Sequence, residues 1–377
     1  MANPPLPPPA WVDKPNTFNA MLGDLSAQPR LAVDTESNSL HAYQEQVCLI
    51  QFTTPQKDYV IDPLALDDLS ALGLIFSNPN VEKIFHAAEY DLICLRRDFG
   101  FQFANLFDTM HAARVLGYPF VGLDNLLAEK FQFEMDKRHQ KADWAVRPLT
   151  PAQLDYARLD THFLFDLRDL LANELREKDR LQIALEDFAR ACNVEIQKEK
   201  DKLNGASWKR FSMRKDVTPR ELTVLSELCI ERDRIAERMN RPVFKVISDS
   251  LLLDIARNLP EKDVDLSGLG LSGKQIRLWG SEVLDAVKRG SVAPLVEREV
   301  PRRPSDATLK RLEKLKNWRK KVAQDLKVES DIVLPKVYLN SLAEKPPAGL
   351  QDLAEIMQDS PTRFENYGEQ IYRLLRG

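Results

Sequence analysis

A chain of 377 residues is long enough for two or three domains, each able to bury a core of its own. Its 44% hydrophobic and 29% charged residues settle the class as globular, and no apolar run approaches the roughly eighteen residues of a membrane span. The net charge of −4 argues only weakly against nucleic acid, because the placement of charge matters more than its sum.

The opening segment, MANPPLPPPAW, lacks a basic stretch before an apolar one and so predicts no signal peptide. Its prolines predict a flexible, polyproline-like arm over residues 1–11, with the folded chain starting beyond residue 14. Next comes LAVDTES at 31–37, an apolar run that ends in two acids. Side chains alternate along a strand, so Asp34 and Glu36 share one face while Thr35 takes the other. Two unit charges about 4 Å apart cost roughly 4 kcal/mol at an effective dielectric of about 20, so such a pair needs water, a proton or a cation. Two further short apolar segments, Val47 to Phe52 and Tyr59 to Ile61, follow after connections short enough for antiparallel neighbours.

The pattern then alternates: a helix around Leu64 to Phe76, a strand at 81–85, a helix across Ala88 to Phe99 and a short apolar stretch near Leu106. Strands first, then strand and helix in turn, predict a mixed sheet covered by helices. TPAQ at 150–153 has the capping-box form, and the helix it starts is expected to run through LDYARLDTHFLFDLRDLL. Tyr156 and Asp160 lie four apart on one face of that helix.

A basic stretch from Lys198 to Lys215 carries seven Lys or Arg against two acids, with Trp208 and Phe211 interleaved. Beyond it, TPRE at 218–221 is another capping box. An internal repeat emerges when the chain is shifted by 87 residues: Leu225 meets Leu312, Arg232 meets Arg319, Val246 meets Val333 and Pro260 meets Pro347. Two helical modules of one design therefore follow the α/β part, separated by the proline-containing segment from Val292 to Pro304. A second basic stretch, Arg302 to Lys321, holds nine Lys or Arg against two acids, with Trp318 among them. Both stretches have the residue mix that phosphate and base contacts use. The four cysteines (Cys48, Cys94, Cys192 and Cys229) lie far apart without a C-x-x-C, which speaks for reduced thiols in a cytoplasm and against a zinc site or a disulfide frame.

VDTES at 33–37, FHAAEYD at 85–91 and YARLD at 156–160 resemble the three motifs of the DEDDy group of 3′-to-5′ exonucleases, and DWAVRPL at 143–149 resembles the ribonuclease D family in particular. The repeated modules are similar to HRDC domains, which that family carries in tandem. The resemblance implies an RNase H-like α/β exonuclease domain over 15–200 and HRDC-type helical bundles over 208–291 and 303–377. It implies two divalent cations, Mg²⁺ or Mn²⁺: Asp34 bridging both, Glu36 and Asp160 on the one that activates water, Asp91 on the other. Tyr156 would orient the water, since a phenol with a pKa of about 10 stays protonated. Phosphodiester hydrolysis suits that set, because hard cations prefer carboxylate oxygen.

The implied activity is stepwise removal of 5′-mononucleotides from RNA 3′ ends by a monomeric enzyme, with tRNA precursors as substrate. Trp208, Lys209, Arg210, Trp318 and Arg319 would hold the RNA body. A DNA exonuclease and a non-catalytic nucleic-acid adaptor remain open as alternatives. Ser37 departs from the aromatic or apolar residue common after the D-T-E triplet in this family. His86 reads as a packing residue, Arg147 as a partner of phosphate or of Asp143, and Gln51 as hydrogen-bonded to backbone only.

Overall fold

The computed structural model describes residues 7–193, 206–298 and 303–376. The chain forms two compact units, one from 1–37, 47–195 and 303–377 and the other from 38–46 and 196–302.

The first unit is built on a six-stranded sheet. Its elements are β1 (Ala10–Val12), α1 (Pro15–Ser26), β2 (Arg30–Ser37), β3 (Val47–Thr53), β4 (Asp58–Ile61), α2 (Ser70–Phe76), β5 (Glu82–Phe85), α3 (Glu89–Phe99), β6 (Leu106–Asp108), α4 (Thr109–Leu116), α5 (Leu123–Phe131), α6 (Pro151–His162), α7 (Leu164–Glu177) and α8 (Leu181–Ala191). Strand order is β1-β4-β3-β2-β5-β6. The pairs β2–β3 and β3–β4 are antiparallel, and β2–β5 and β5–β6 are parallel. Every residue of β3 and β4 is buried, as strands covered on both faces must be. This is the predicted mixed RNase H-like sheet with its helical cover.

Three expectations need correction. Ala10–Val12 is no part of a flexible arm: it pairs parallel with Tyr59 to Ile61 as an edge strand, and Val12 is buried. The helix expected from Leu64 begins only at Ser70, because Asp62 and Asp68 accept the backbone N–H groups of Leu64 and Ser70 and hold the intervening chain in turns. The long helix after Thr150 breaks at Phe163 (φ −96°, ψ 1°), whose ring packs against Phe131 and Phe133.

The second unit comprises α9 (Lys209–Ser212), α10 (Pro219–Arg238), α11 (Val243–Val246), α12 (Asp249–Asn258), α13 (Asp263–Leu269) and α14 (Gly273–Val292). The loop 38–46 belongs to it: Tyr43 packs on the helical core, and its N–H donates to Asn240 Oδ1 at 3.2 Å. The last part of the chain adds α15 (Asp306–Leu326), α16 (Ser330–Val333), α17 (Lys336–Glu344), α18 (Leu350–Ile356) and α19 (Pro361–Arg376) to the first unit.

The internal repeat reaches down to single bonds. Arg232 donates from Nη1 to the Ile247 carbonyl at 3.2 Å, and Arg319, its repeat mate, donates from Nη1 to the Leu334 carbonyl at 2.8 Å. In both modules a long helix is tied by an arginine to the chain fifteen residues on.

The second module joins the sheet domain through a buried ion pair. Arg363, with no exposed side-chain surface, makes two parallel bonds to Asp187 on α8, at 2.8 and 2.7 Å, and a third to the Ile332 carbonyl at 3.0 Å. Asp187 also receives His111 Nε2 at 2.7 Å and pairs with Arg190. Around this pair, Arg114 bridges Glu329 and Asp331, and the Thr362 N–H reaches Glu186 at 2.8 Å. Gly117, at φ 87°, lies so close to the Lys327 carbonyl that no side chain would fit.

Burial by itself would raise the Asp187 carboxyl, but the His111 hydrogen bond and the Arg363 charge hold it well below the usual carboxylate range. A depressed folded-state pKa stabilises above the unfolded value near 4, and that contribution is lost as the pH falls below it. Arg363→Ala leaves the Asp187 charge buried without its strongest partner and should cost about 3–5 kcal/mol in urea unfolding at neutral pH. The deficit should shrink below about pH 4; a loss under about 1 kcal/mol would show the pair to be peripheral.

Candidate metal and active site

β2 presents Asp34 and Glu36 on one face, opposite Gln51 and Leu49 of β3. The register shifts between Glu36 and Ser37, a bulge of the kind that re-aims side chains beside functional sites. α6 lies over this face. Its start is set by the expected capping box, in which Thr150 accepts the Gln153 N–H at 3.3 Å and the Thr150 N–H donates to Gln153 Oε1 at 3.0 Å. Further along, the Thr161 and Thr53 hydroxyls meet at 2.8 Å. The helix so placed carries Asp160 to the strand acids: one carboxylate oxygen each from Asp34, Glu36 and Asp160 lie within 4.8 Å of one another.

Asp91 stands apart from that triad, in the first turn of α3 and buried. The Thr35 hydroxyl donates to its Oδ1. The residue between the two strand acids, read from sequence as a spacer facing away, therefore ties the fourth acid to the same strand. A second overlooked residue is Asp108. Its carboxylate accepts the N–H groups of Ala87 at 3.1 Å, Ala88 at 2.8 Å and His111 at 3.0 Å. Ala87 is thereby held at φ 63°, a left-handed conformation costing an alanine about 1–2 kcal/mol. Strain of this kind persists where the surroundings over-determine it, and here it sets the direction in which α3 begins.

Burial and mutual repulsion dominate the electrostatics. Asp34 is raised well above the ordinary carboxylate value by burial and by Asp91, Asp160 and Glu36 in turn. Glu36 is raised likewise by burial, Asp160 and Asp91. Asp91 and Asp160 are pushed up to about 7, chiefly by burial. Burial and the neighbouring acids push the Tyr156 phenol up, so it stays protonated; its ring stacks on buried Trp144 at 5.9 Å. Hard oxygen donors this crowded fit a divalent cation, whose charge would replace repulsion with attraction.

A cavity of about 330 Å³ opens over the acids, lined by Asp34, Glu36, Tyr156, Asp160, His86 and Gln140 among others. His86, read as a packing residue, is buried enough to be held neutral, with its pKa pushed down to about 4. The Thr109 hydroxyl spends its one proton on the Phe85 carbonyl at 3.0 Å, so His86 Nδ1, 2.9 Å away, must be the donor to it. The second ring nitrogen is then an acceptor. A larger cavity, about 810 Å³, lies elsewhere in this unit beside His111, Arg114 and Arg190, all three engaged with carboxylates.

Other candidates fall differently. Arg147 pairs with Asp62 and not with Asp143: Nε and Nη2 grip Asp62 at 2.6 and 2.8 Å, and the same guanidinium bonds the Trp144 and Cys48 carbonyls, pinning the loop to the bulged strand. Ser37 lies 3.3 Å from the exposed Tyr90 hydroxyl. Gln51 makes none of the expected backbone bonds; its amide is wholly buried with no partner among the described residues.

The residues assigned to RNA lie in the helical modules. Trp208 packs on the core of the second unit, Lys209 is exposed, and Arg210 pairs with Asp249 at 2.6 Å. Trp318 donates to Gln370 at 3.1 Å and meets Tyr367 edge-on, while Arg319 is the helix tie described above. On α15 the exposed cations are instead the lysines Lys310, Lys314, Lys316, Lys320 and Lys321, interspersed with the exposed acids Asp306, Glu313 and Asp325. Residues 198–205 of the first basic stretch lie outside the described residues.

The raised carboxyls imply a definite pH dependence. Between about pH 4 and pH 7 the folded, cation-free protein holds protons that the unfolded chain releases, so this stabilisation is present at low pH and fades as the pH rises through the window. In chelator, unfolding free energy should decline from about pH 5 to pH 8, by up to about 1.4 kcal/mol per pH unit for each proton involved. Added Mn²⁺ should flatten the profile, and a profile already flat in chelator would show that the acids titrate normally.

Comparison with known proteins agrees with the geometry. Residues 9–176 match the family described as 3′-5′ exonuclease, and residues 221–287 and 308–375 each match the HRDC domain. The chain is 34% identical over 265 residues to the exosome complex exonuclease RRP6 of Saccharomyces cerevisiae, covering 67% of this chain and 36% of that protein. It is 34% identical over 262 residues to ribonuclease D of Gluconacetobacter diazotrophicus, covering 69% of this chain and 65% of the relative. The matched segments thus span about a third to two thirds of these curated relatives. The crystal structure of Escherichia coli RNase D, an exoribonuclease involved in structured RNA processing, aligns over 98% of both chains with a TM-score of 0.69 at 26% identity. No helix among the described residues is long and apolar enough to cross a membrane. With its acid-bearing mixed sheet followed by two helical modules, the chain carries a DEDD-type 3′-5′ exonuclease domain and two HRDC domains and is a homologue of ribonuclease D.

Proposed function

We propose that the protein is a 3′-to-5′ exoribonuclease that releases 5′-mononucleotides with the help of two divalent cations, Mg²⁺ or Mn²⁺. The observation that carries this is the convergence of Asp34, Glu36 and Asp160 oxygens within 4.8 Å inside a 3′-5′ exonuclease domain. Asp34, Glu36 and Asp160 would hold one cation, and Asp34 together with Asp91, oriented by Thr35, would hold the other. Such cations, when bound, supply an activated water and neutralise charge on the phosphate and the leaving 3′-oxygen. Tyr156 keeps its proton and orients the attacking water by hydrogen bonding. The cavity of about 330 Å³ over the acids offers room for the terminal nucleotide of a chain.

The likeness to an exoribonuclease involved in structured RNA processing supports a substrate class. Structured RNA with a single-stranded 3′ tail, such as a tRNA precursor, is the proposed target, and the exposed lysines of α15 would hold its phosphates. The protein would act as a monomer, and its four buried cysteines, none of them in a disulfide, suit a reducing compartment such as the cytoplasm.

Digestion of a 3′-extended tRNA, with product lengths followed in time and a metal-free control, tests the reading. Stepwise shortening with Mg²⁺ or Mn²⁺ is expected, and Asp34→Asn should abolish it. Tyr156→Phe should lower kcat about 100-fold with KM little changed, the loss expected of a misplaced nucleophile. Faster trimming of a matched DNA oligonucleotide would overturn the choice of polymer, and absence of any mononucleotide product would leave an adaptor.

Charge reversal at Lys316, Lys320 and Lys321 to Glu should weaken binding to structured RNA, with a shallower salt dependence, while cleavage of a short oligonucleotide stays unchanged. Equal losses on both substrates would remove the helical module from RNA binding.

A further inference from the structure

Gln51 sits in the middle of β3, among Leu49, Ile50 and Phe52, and its side chain has no solvent exposure. Neither its amide nitrogen nor its amide oxygen has a hydrogen-bond partner among the described residues. A buried amide left in this condition costs about 1–3 kcal/mol, which an apolar residue of similar shape avoids. On stability grounds alone, leucine or methionine would serve this strand better.

The residue directly across the ladder is Asp34. Directly opposed residues of an antiparallel pair share a face, with Cβ atoms about 4.5–5.5 Å apart, a gap that a glutamine side chain spans. α6 closes that face on both sides of Gln51: Leu49 and Val60 pack with Ala157, and Thr53 bonds Thr161. Cross-strand neighbours Thr53 and Asp58 already satisfy each other at 2.8 Å, so the next polar group on this face is the Asp34 carboxylate.

We infer that Gln51 is a positioning residue of the catalytic site: its amide N–H donates to the Asp34 carboxylate when cations bind, fixing the orientation of the acid that bridges them. In the cation-free protein the amide bears a destabilising burial, and the loaded site relieves it. Because Gln51 touches neither cation nor substrate, it acts through Asp34 alone. The inference rests on the metal-dependent reading above and adds to it a residue that holds the bridging ligand.

The test compares wild type with Gln51→Leu and with Gln51→Met, of matching length, by thermal unfolding across a Mn²⁺ titration and by turnover at saturating Mn²⁺. Without cation, at least one variant should be as stable as wild type or more so. Its Mn²⁺ midpoint for stabilisation should rise about 10- to 100-fold, the usual effect of removing a partner of a metal ligand, and kcat should fall. A merely structural glutamine would lower stability equally with and without cation, and that outcome, or an unchanged Mn²⁺ midpoint, overturns the inference. A wild-type protein that gains no stability from Mn²⁺ would instead overturn the metal reading beneath it.

Discussion

Repulsion among four carboxylates is the constraint around which this site is organised. Asp34, Glu36, Asp91 and Asp160 all hold their protons more tightly than ordinary acids, mainly because burial strips them of water and then because each sits near another. Strand alternation alone pairs Asp34 with Glu36. The other two acids are brought in by the packing of α6 on the sheet, by the Thr35 bond to Asp91, and by the Asp108 carboxylate that shapes the start of α3. A divalent cation, as the exonuclease family implies, would convert the same crowding into binding energy.

Arginine carries out much of the opposite electrostatic work, and mostly for structure. Arg147 and Arg363 each direct a planar fork of donors at carboxylates and backbone carbonyls, and Arg319 ties its helix to a single carbonyl. A guanidinium suits this use because it is always charged, weakly hydrated and able to satisfy two acceptors in one plane. Counting basic residues along the chain therefore overstates the surface offered to nucleic acid. Lysine, whose compact ammonium prefers water, is the better guide, and on α15 it is the lysines that face outward.

The features legible in the sequence were those whose physics is local or periodic. Alternation placed Asp34 and Glu36 together, and the capping boxes at Thr150 and Thr218 located two helix starts to the residue. The 87-residue repeat matched Arg232 to Arg319, and both turn out to make the same bond. The errors arose where a distant group competed with a local preference. Helical periodicity continued through Phe163, but the ring's packing against Phe131 and Phe133 accompanies a break there. Proline-rich composition hid an edge strand whose pairing partner lies about fifty residues on.

By itself, the sequence laid out the strands and helices after the edge strand and the two helical modules, because period and caps are properties of neighbouring residues and the repeat is a match of one segment to another; the four acids were singled out by the resemblance of three short motifs to a known family. Tertiary structure alone decided that Thr35 holds Asp91, that Arg147 grips Asp62 rather than Asp143, that Arg363 pins the second module to α8, and that Gln51 lies unsatisfied beside Asp34. Those pairings join residues from 17 to 176 positions apart, and a hydrogen bond of a few ångströms depends on where the whole chain has folded, not on the residues beside it.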